Sequence, residues 1–155
     1  MSSSSEEKSI KSSRSQIANP TYSPVPYSPL GYRSFREFYP FYLGEHSNST
    51  CRRLHFVGTS ISVACQLRLV LSFLPSLLHL NQDELSGKLV SLRLVGGRNA
   101  RIKLAILGTL QAYAWAWVGH FIFEGNRPAT FKHPFYSLWG DLTLWKEAIL
   151  FQRSI

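Results

Sequence analysis

The stretch "LGEHSNSTCRRLHFVGT", Leu43–Thr59, sets two histidines nine residues apart at the entrance of an apolar run, with a hydroxyl-rich break and an Arg pair between them. On an unbroken helix, nine residues turn the side-chain direction by about 900°, so His46 and His55 would face opposite ways. They converge only if the helix is broken between them. Ser47-Asn48-Ser49-Thr50 supplies that break, because such side chains cap helix starts and stabilise turns. The stretch reads as a ligand, a corner, and a second ligand one to two turns into a new helix. Arg52 and Arg53 fall where lipid headgroups or an anionic substrate would sit.

Two apolar segments follow, residues 55–80 and 104–123. The second has about the twenty residues that a roughly 30 Å hydrocarbon core requires, and it contains no Asp, Glu, Lys or Arg. The first carries Arg68 near its middle, at a cost of roughly 2.5–3.5 kcal/mol on insertion scales, and Pro75 beyond. It is either one kinked span or two half-helices, 56–67 and 69–80, folded against each other. Between the segments lies a polar loop, 81–103, with Gly96-Gly97 as a turn signal.

Upstream, Phe35, Phe38, Tyr39 and Tyr42 recur on one side of a short helix, interrupted or bent near Pro40. That helix lies either at a membrane interface or on an ordinary core. Residues 136–151 form a further amphipathic, aromatic stretch. Residues 1–30, rich in Ser and Pro, read as a disordered tail. The expected fold is all-α: a small multi-pass helical membrane protein with a disordered N-terminal tail, its membrane domain spanning 31–155.

Composition agrees. The net charge is +8 over 155 residues, but the basic residues concentrate where apolar runs end. That is the flank pattern of a membrane protein, and no nucleic-acid partner is expected. Cys51 and Cys65 are too few for a disulfide scaffold and lack the spacing of a thiolate metal site, so they read as ordinary buried residues. The N-terminus shows no apolar stretch of a cleaved secretory signal.

If the two spans are antiparallel, connectivity gathers His46, His55, His120 and His133 at one face and leaves His79 at the other. His120 and Glu124 stand four apart on a helix, where the carboxylate can orient the imidazole or act as a further ligand. Gly119 leaves room for close backbone approach, and Arg127 sits past the helix end, ready to meet a carboxylate. A single histidine near an interface ordinarily just reaches water. Four at one face, beside Glu45, Glu124 and Arg127, point to a metal site.

The segments "FREFYPFYLGEHSNSTCRRLHFVGT" and "AWAWVGHFIFEGNRPATFKHPFYSLWGD" resemble the Mpo-like 2-hydroxy fatty acid dioxygenases, a family of small endoplasmic-reticulum membrane proteins. The resemblance covers residues 34–80 and 104–147. It rests on H-x8-H with a glycine three residues on (His46, His55, Gly58) and on G-H-x3-E-x2-R-P-A (Gly119 to Ala129). His133 falls where the family often carries a histidine. The resemblance implies Fe(II) held by His46, His55, His120 and His133, with Glu124 and Arg127 at the reacting centre and Arg52 and Arg53 near the substrate. It also implies alpha-oxidation of a 2-hydroxy fatty acid with O2, at the endoplasmic reticulum membrane and in contact with its lipid. Imidazoles suit Fe(II), and neither a GxGxxG fingerprint nor a P-loop calls for another cofactor. Two other readings fit the same residues: a membrane scaffold with a structural or zinc-binding His cluster, and a metal-dependent lipid hydrolase.

Overall fold

The computed structural model describes residues 17–73 and 98–155. Among them the chain is helical and contains no strand. Helix α1 is Phe35–Gly44, α2 is Ser49–Leu71 and α3 is Arg98–Val118; a π-helical turn, Gly119–Glu124, follows α3 directly, and after a 3-10 turn, Ala129–Phe131, comes α4, Pro134–Ile149.

Helix α1 starts at a variant of the capping box. The Ser34 hydroxyl accepts from Glu37 N–H, and the Glu37 carboxylate reaches back to accept from Arg33 N–H. The helix runs through Pro40 without interruption. Its aromatic side meets a core rather than an interface: Phe38, Tyr39, Tyr42 and Leu43 are buried.

Helix α2 begins where the corner was expected. Asn48 caps it, its side-chain oxygen accepting from the N–H groups of Thr50 and Cys51. The helix continues unbroken past Arg68, so no pair of half-helices meets at residue 68; Pro75, His79 and the rest of the segment to residue 80 lie outside the described residues.

Helices α2 and α3 pair antiparallel through small residues. A Cβ on Gly58 would lie 2.9 Å from Trp115 Cβ and 3.3 Å from Ala112 Cα; one on Gly108 would lie 2.7 Å from Cys65 Cβ, and one on Gly119 2.9 Å from Cys51 Sγ. Positions 51, 58 and 65 thus meet 119, 112–115 and 108, an antiparallel register. Side-chain amides knit the pair: Gln111 Nε2 donates to Gly58 O, and Gln66 Nε2 to Thr109 Oγ1. Small residues at the contact and hydrogen bonds between helices are what a pair in lipid requires, since apolar burial drives nothing there.

Four expectations change. The loop expected over 81–103 gives way to α3 from Arg98 onward; residues 81–97 lie outside the described residues. The run 104–123 is not one uniform α-helix, because it widens into the π turn at Gly119, while the first turns of α3 carry Arg98, Arg101 and Lys103. Among the described residues, one helix, Ser49–Leu71, is long and apolar enough to cross a membrane. Finally, residues 17–30 of the expected tail pack on the domain. Tyr22 is buried, its hydroxyl donating to Ser154 O, and the Arg153 guanidinium donates to the carbonyls of Ala18 and Asn19. Residues 1–16 lie outside the described residues.

The glycine contacts are testable. Gly58→Ala forces its methyl against the α3 backbone at Ala112, so the helices must separate. The expected cost is roughly 1–3 kcal/mol, as for other overpacked sites, read as a lowered unfolding midpoint in detergent.

Candidate metal centre

Three imidazoles from three elements meet in the interior. His46 leaves the end of α1, His55 lies almost two turns into α2, and His120 sits on the π turn. All three are buried. Their ring centroids are 4.5, 4.6 and 5.0 Å apart. One donor atom from each, together with Cys51 Sγ, lies within 4.8 Å of every other.

Each ring is fixed by an oxygen at Nδ1. At the end of α1 four carbonyls lack helical partners. Glu45 N–H takes Phe41 O and His46 N–H takes Leu43 O; Tyr42 O receives His46 Nδ1 at 2.6 Å. His55 Nδ1 donates to Asp141 Oδ1 at 2.6 Å, on the same oxygen that accepts Tyr42 OH at 2.6 Å. His120 Nδ1 meets Asn126 Oδ1 at 2.7 Å. Asn126 Nδ2 donates to Glu45 O and to the Glu45 carboxylate, which identifies the oxygen as the acceptor. With a proton on every Nδ1, all three Nε2 atoms keep a lone pair.

The Nε2 atoms of His46 and His55 are buried without a hydrogen-bond partner. An orphaned acceptor in the interior is costly, and two beside a third imidazole and a thiol fit a cation. Imidazole nitrogens held by outer oxygens are the usual arrangement of a metal site. The residues therefore fit an ion such as Fe(II), held by His46, His55 and His120. Burial, and after it the neighbouring His55 and His120, push His46 well below the ordinary histidine value, so it stays neutral.

The π turn places His120. Its wider winding shifts the side chains after Gly119 off the α-helical face, and Gly119 itself lies against Cys51. Gly125, at φ 71°, closes the turn in the left-handed region, and Asn126 N–H returns to His120 O at 3.1 Å.

The remaining expected residues have other surroundings. Glu124 does not reach His120. Its carboxylate accepts from Ser47 N–H, Ser47 OH and Asn48 N–H, at the start of α2, because the π turn rotates it out of the α-helical i, i+4 relation. Arg52 is buried. Its Nη1 donates to His46 O and Ser47 O, and its guanidinium lies 3.9 Å from the Tyr22 ring centroid. Arg53 is exposed. Arg127 lines a cavity of about 800 Å³ together with Glu45 and Lys132. His133 stands apart from the other three rings. It precedes α4, its Nε2 3.2 Å from Tyr27 OH, its ring among Tyr27, Tyr32, Phe38 and Tyr136.

Sequence reasoning missed Asp141, Asn126 and the position of Cys51. Asp141 and Asn126 stood in the quoted motifs, in "WGD" and "EGN", but only the folded chain reveals which ring each one holds.

A family model described as 2-hydroxy-palmitic acid dioxygenase Mpo1-like matches residues 32–153, a span that contains all three imidazoles and every group that orients them. No curated protein and no solved structure matches the chain.

Two outcomes follow. Asp141→Asn exchanges a charged acceptor for a neutral one at both His55 and Tyr42. Metal affinity in a Co(II) or Zn(II) titration should fall about 10–100-fold, with helical circular dichroism retained. In the metal-free protein, the depressed His46 means that the unfolded chain takes up a proton which the fold refuses. Stability should therefore be level above the ordinary histidine value of 6.5 and decline as pH drops below it. Denaturant midpoints from pH 8 down to about pH 5 would register this as a progressive fall, and a rise on acidification would contradict it.

Proposed function

The chain belongs to this family, and from that premise we propose that it is an Fe(II)-dependent dioxygenase that shortens a 2-hydroxy fatty acid by one carbon at a membrane. The observation that carries this reading is the triple of buried imidazoles, every Nδ1 hydrogen-bonded to oxygen, with one donor atom of each ring and Cys51 Sγ within 4.8 Å of one another. Bound there, Fe(II) would be held by His46, His55 and His120 and would supply the activation of O2 toward the 2-hydroxy acid.

The overall change, RCH(OH)COOH + O2 → RCOOH + CO2 + H2O, balances without outside electrons. The chain's own part is positioning. Asp141, Asn126 and the Tyr42 carbonyl hold the rings in one tautomer. The packed Phe38, Tyr42 and Leu43 side chains keep water from one side of the centre. Glu124 acts by fixing the His46 corner to the His120 turn. Arg127, with Lys132 beside the same cavity, is the cation suited to attract the acid's carboxylate; Arg53 serves the headgroup region.

Membrane insertion of residues 31–155 as one domain is part of the proposal. The apolar α2 supports it. So do the exposed Leu67 and Val70 on α2, Ile106, Leu107 and Leu110 on α3, and Phe135 and Trp139 on α4, an apolar surface larger than a soluble monomer ordinarily carries. The antiparallel pairing of α2 with α3 suits more than one crossing. Residence in the endoplasmic reticulum follows from the family resemblance alone.

The test is incubation of anaerobically purified protein with 2-hydroxyhexadecanoic acid, with and without Fe(II) and air. Pentadecanoic acid and CO2 should appear only when both are present, and His120→Ala should abolish them. Zinc or no metal in the purified protein, with no product, would favour a scaffold; turnover without oxygen would favour a hydrolase.

A further inference from the structure

Where α2, α3 and α4 meet, a slot of about 70 Å³ opens beside His55 and Asp141. His55, Thr59 and Val63 line it from α2, each four residues beyond the last and so on one helix face. Ala112 and Ala116 line it from α3, and Leu142 from α4. From His55 to Val63 is eight residues, about 12 Å of helix. Small side chains on α3 leave the furrow open.

The chemistry of the lining changes along its length. At one end stand a histidine of the metal centre and the carboxylate that holds it. Beyond them, no Lys, Arg or Glu lines the slot. Asp141, the charged group in the lining, is engaged by His55 and Tyr42. The larger cavity near Arg127 has the opposite character: it presents Glu45, Arg127 and Lys132 but reaches no histidine of the centre.

We propose that the slot is the acyl-chain subsite, in which the alkyl tail leaves the metal centre beside His55 and runs along α2, with Val63 and Ala116 limiting the chain length accepted. This rests on the reading of the substrate as a 2-hydroxy fatty acid. A tail fits here on three counts: most of the slot's surface is apolar, although Thr59, Ser62, Thr109 and Thr130 also line it, it touches His55 of the centre, and it lies between helices with exposed apolar side chains, so a chain can enter from the bilayer. The hydroxyl and carboxylate then stay at the imidazoles while the methylenes occupy the slot.

The test has two arms, both on the full chain in phosphatidylcholine nanodiscs. In the first, a sixteen-carbon 2-hydroxy acid carrying a mid-chain diazirine is photolysed on the wild-type protein, and the labelled residues are mapped by mass spectrometry. Labels should fall on Val63, Ala116 or Leu142; labels confined to the outward side chains Ile106, Leu107 and Leu110 would overturn the subsite. In the second arm, Val63→Trp and Ala116→Phe are assayed with sixteen-carbon and eight-carbon acids. The long acid should lose roughly tenfold or more in kcat/KM while the short one is spared. Equal losses in protein that still binds Co(II), or loss with neither acid, would overturn it; where a variant fails to hold Co(II), the labelling arm decides. Labelling in the slot without turnover would sink the reaction and keep the subsite. Turnover with labels elsewhere would do the reverse.

Discussion

The carboxylate of Glu124 joins two parts of the chain that are 77 residues apart. It accepts hydrogen bonds from Ser47 and Asn48 at the first, partnerless N–H groups of α2, where the helix dipole also favours negative charge. Asn48 answers by donating its side-chain amide to Phe123 O. His46 is the residue before Ser47, His55 lies on the helix that begins here, and His120 lies on the turn that carries Glu124. The three rings converge because this one junction holds the corner and the π turn together. The Gly119–Cys51 contact completes the junction, since a side chain at residue 119 would push the turn away from α2.

The legible part of this architecture was local. The break between His46 and His55 could be read because capping residues act on the backbone next to them, and Asn48 does cap α2. The meeting of His55 with His120 could be read because an antiparallel pair of apolar helices brings the start of one beside the end of the other. Connectivity has coarser resolution than chemistry, however. It placed His133 at the same end, which is true of the chain path, but not in the same pocket: a rotation of α4 turns that ring into the aromatic packing of Tyr27, Tyr32 and Phe38. The π turn defeated the i, i+4 reading of His120 and Glu124, because that reading presumes 3.6 residues per turn. Asp141 could not be assigned at all, since its partners stand 86 and 99 positions away and no spacing rule connects them.

The two ends of the described chain close over the same region. The Tyr22 ring lies between Arg52 and Arg153, with guanidinium carbons 3.9 and 5.1 Å from its centroid. Arg153 also donates to Glu147 on α4, whose carboxylate accepts Tyr39 OH from α1. Burying two guanidinium groups near each other would be unfavourable without an aromatic face between them and a carboxylate beside one of them. The lead-in of residues 17–30 thereby becomes part of the wall behind His46, and Arg52 helps fix the backbone at His46 and Ser47 from the first turns of α2.

The choice of imidazole for this interior follows from the same accounting of charge. Three carboxylates so close would repel one another and demand ionisation in a dry place, whereas three neutral imidazoles cost only the desolvation of their nitrogens. Each Nδ1 recovers its share through an oxygen that is already anchored: the end of α1, the Asp141 carboxylate on α4, the Asn126 amide after the π turn. What stays unrecovered are the Nε2 lone pairs of His46 and His55, the kind of donors that a metal ion satisfies. The rings need not reorganise to receive it, because their tautomers and orientations are fixed from outside the triple. The one negative group in contact with a ring, Asp141, stands at Nδ1 of His55, where it fixes the orientation of the ring.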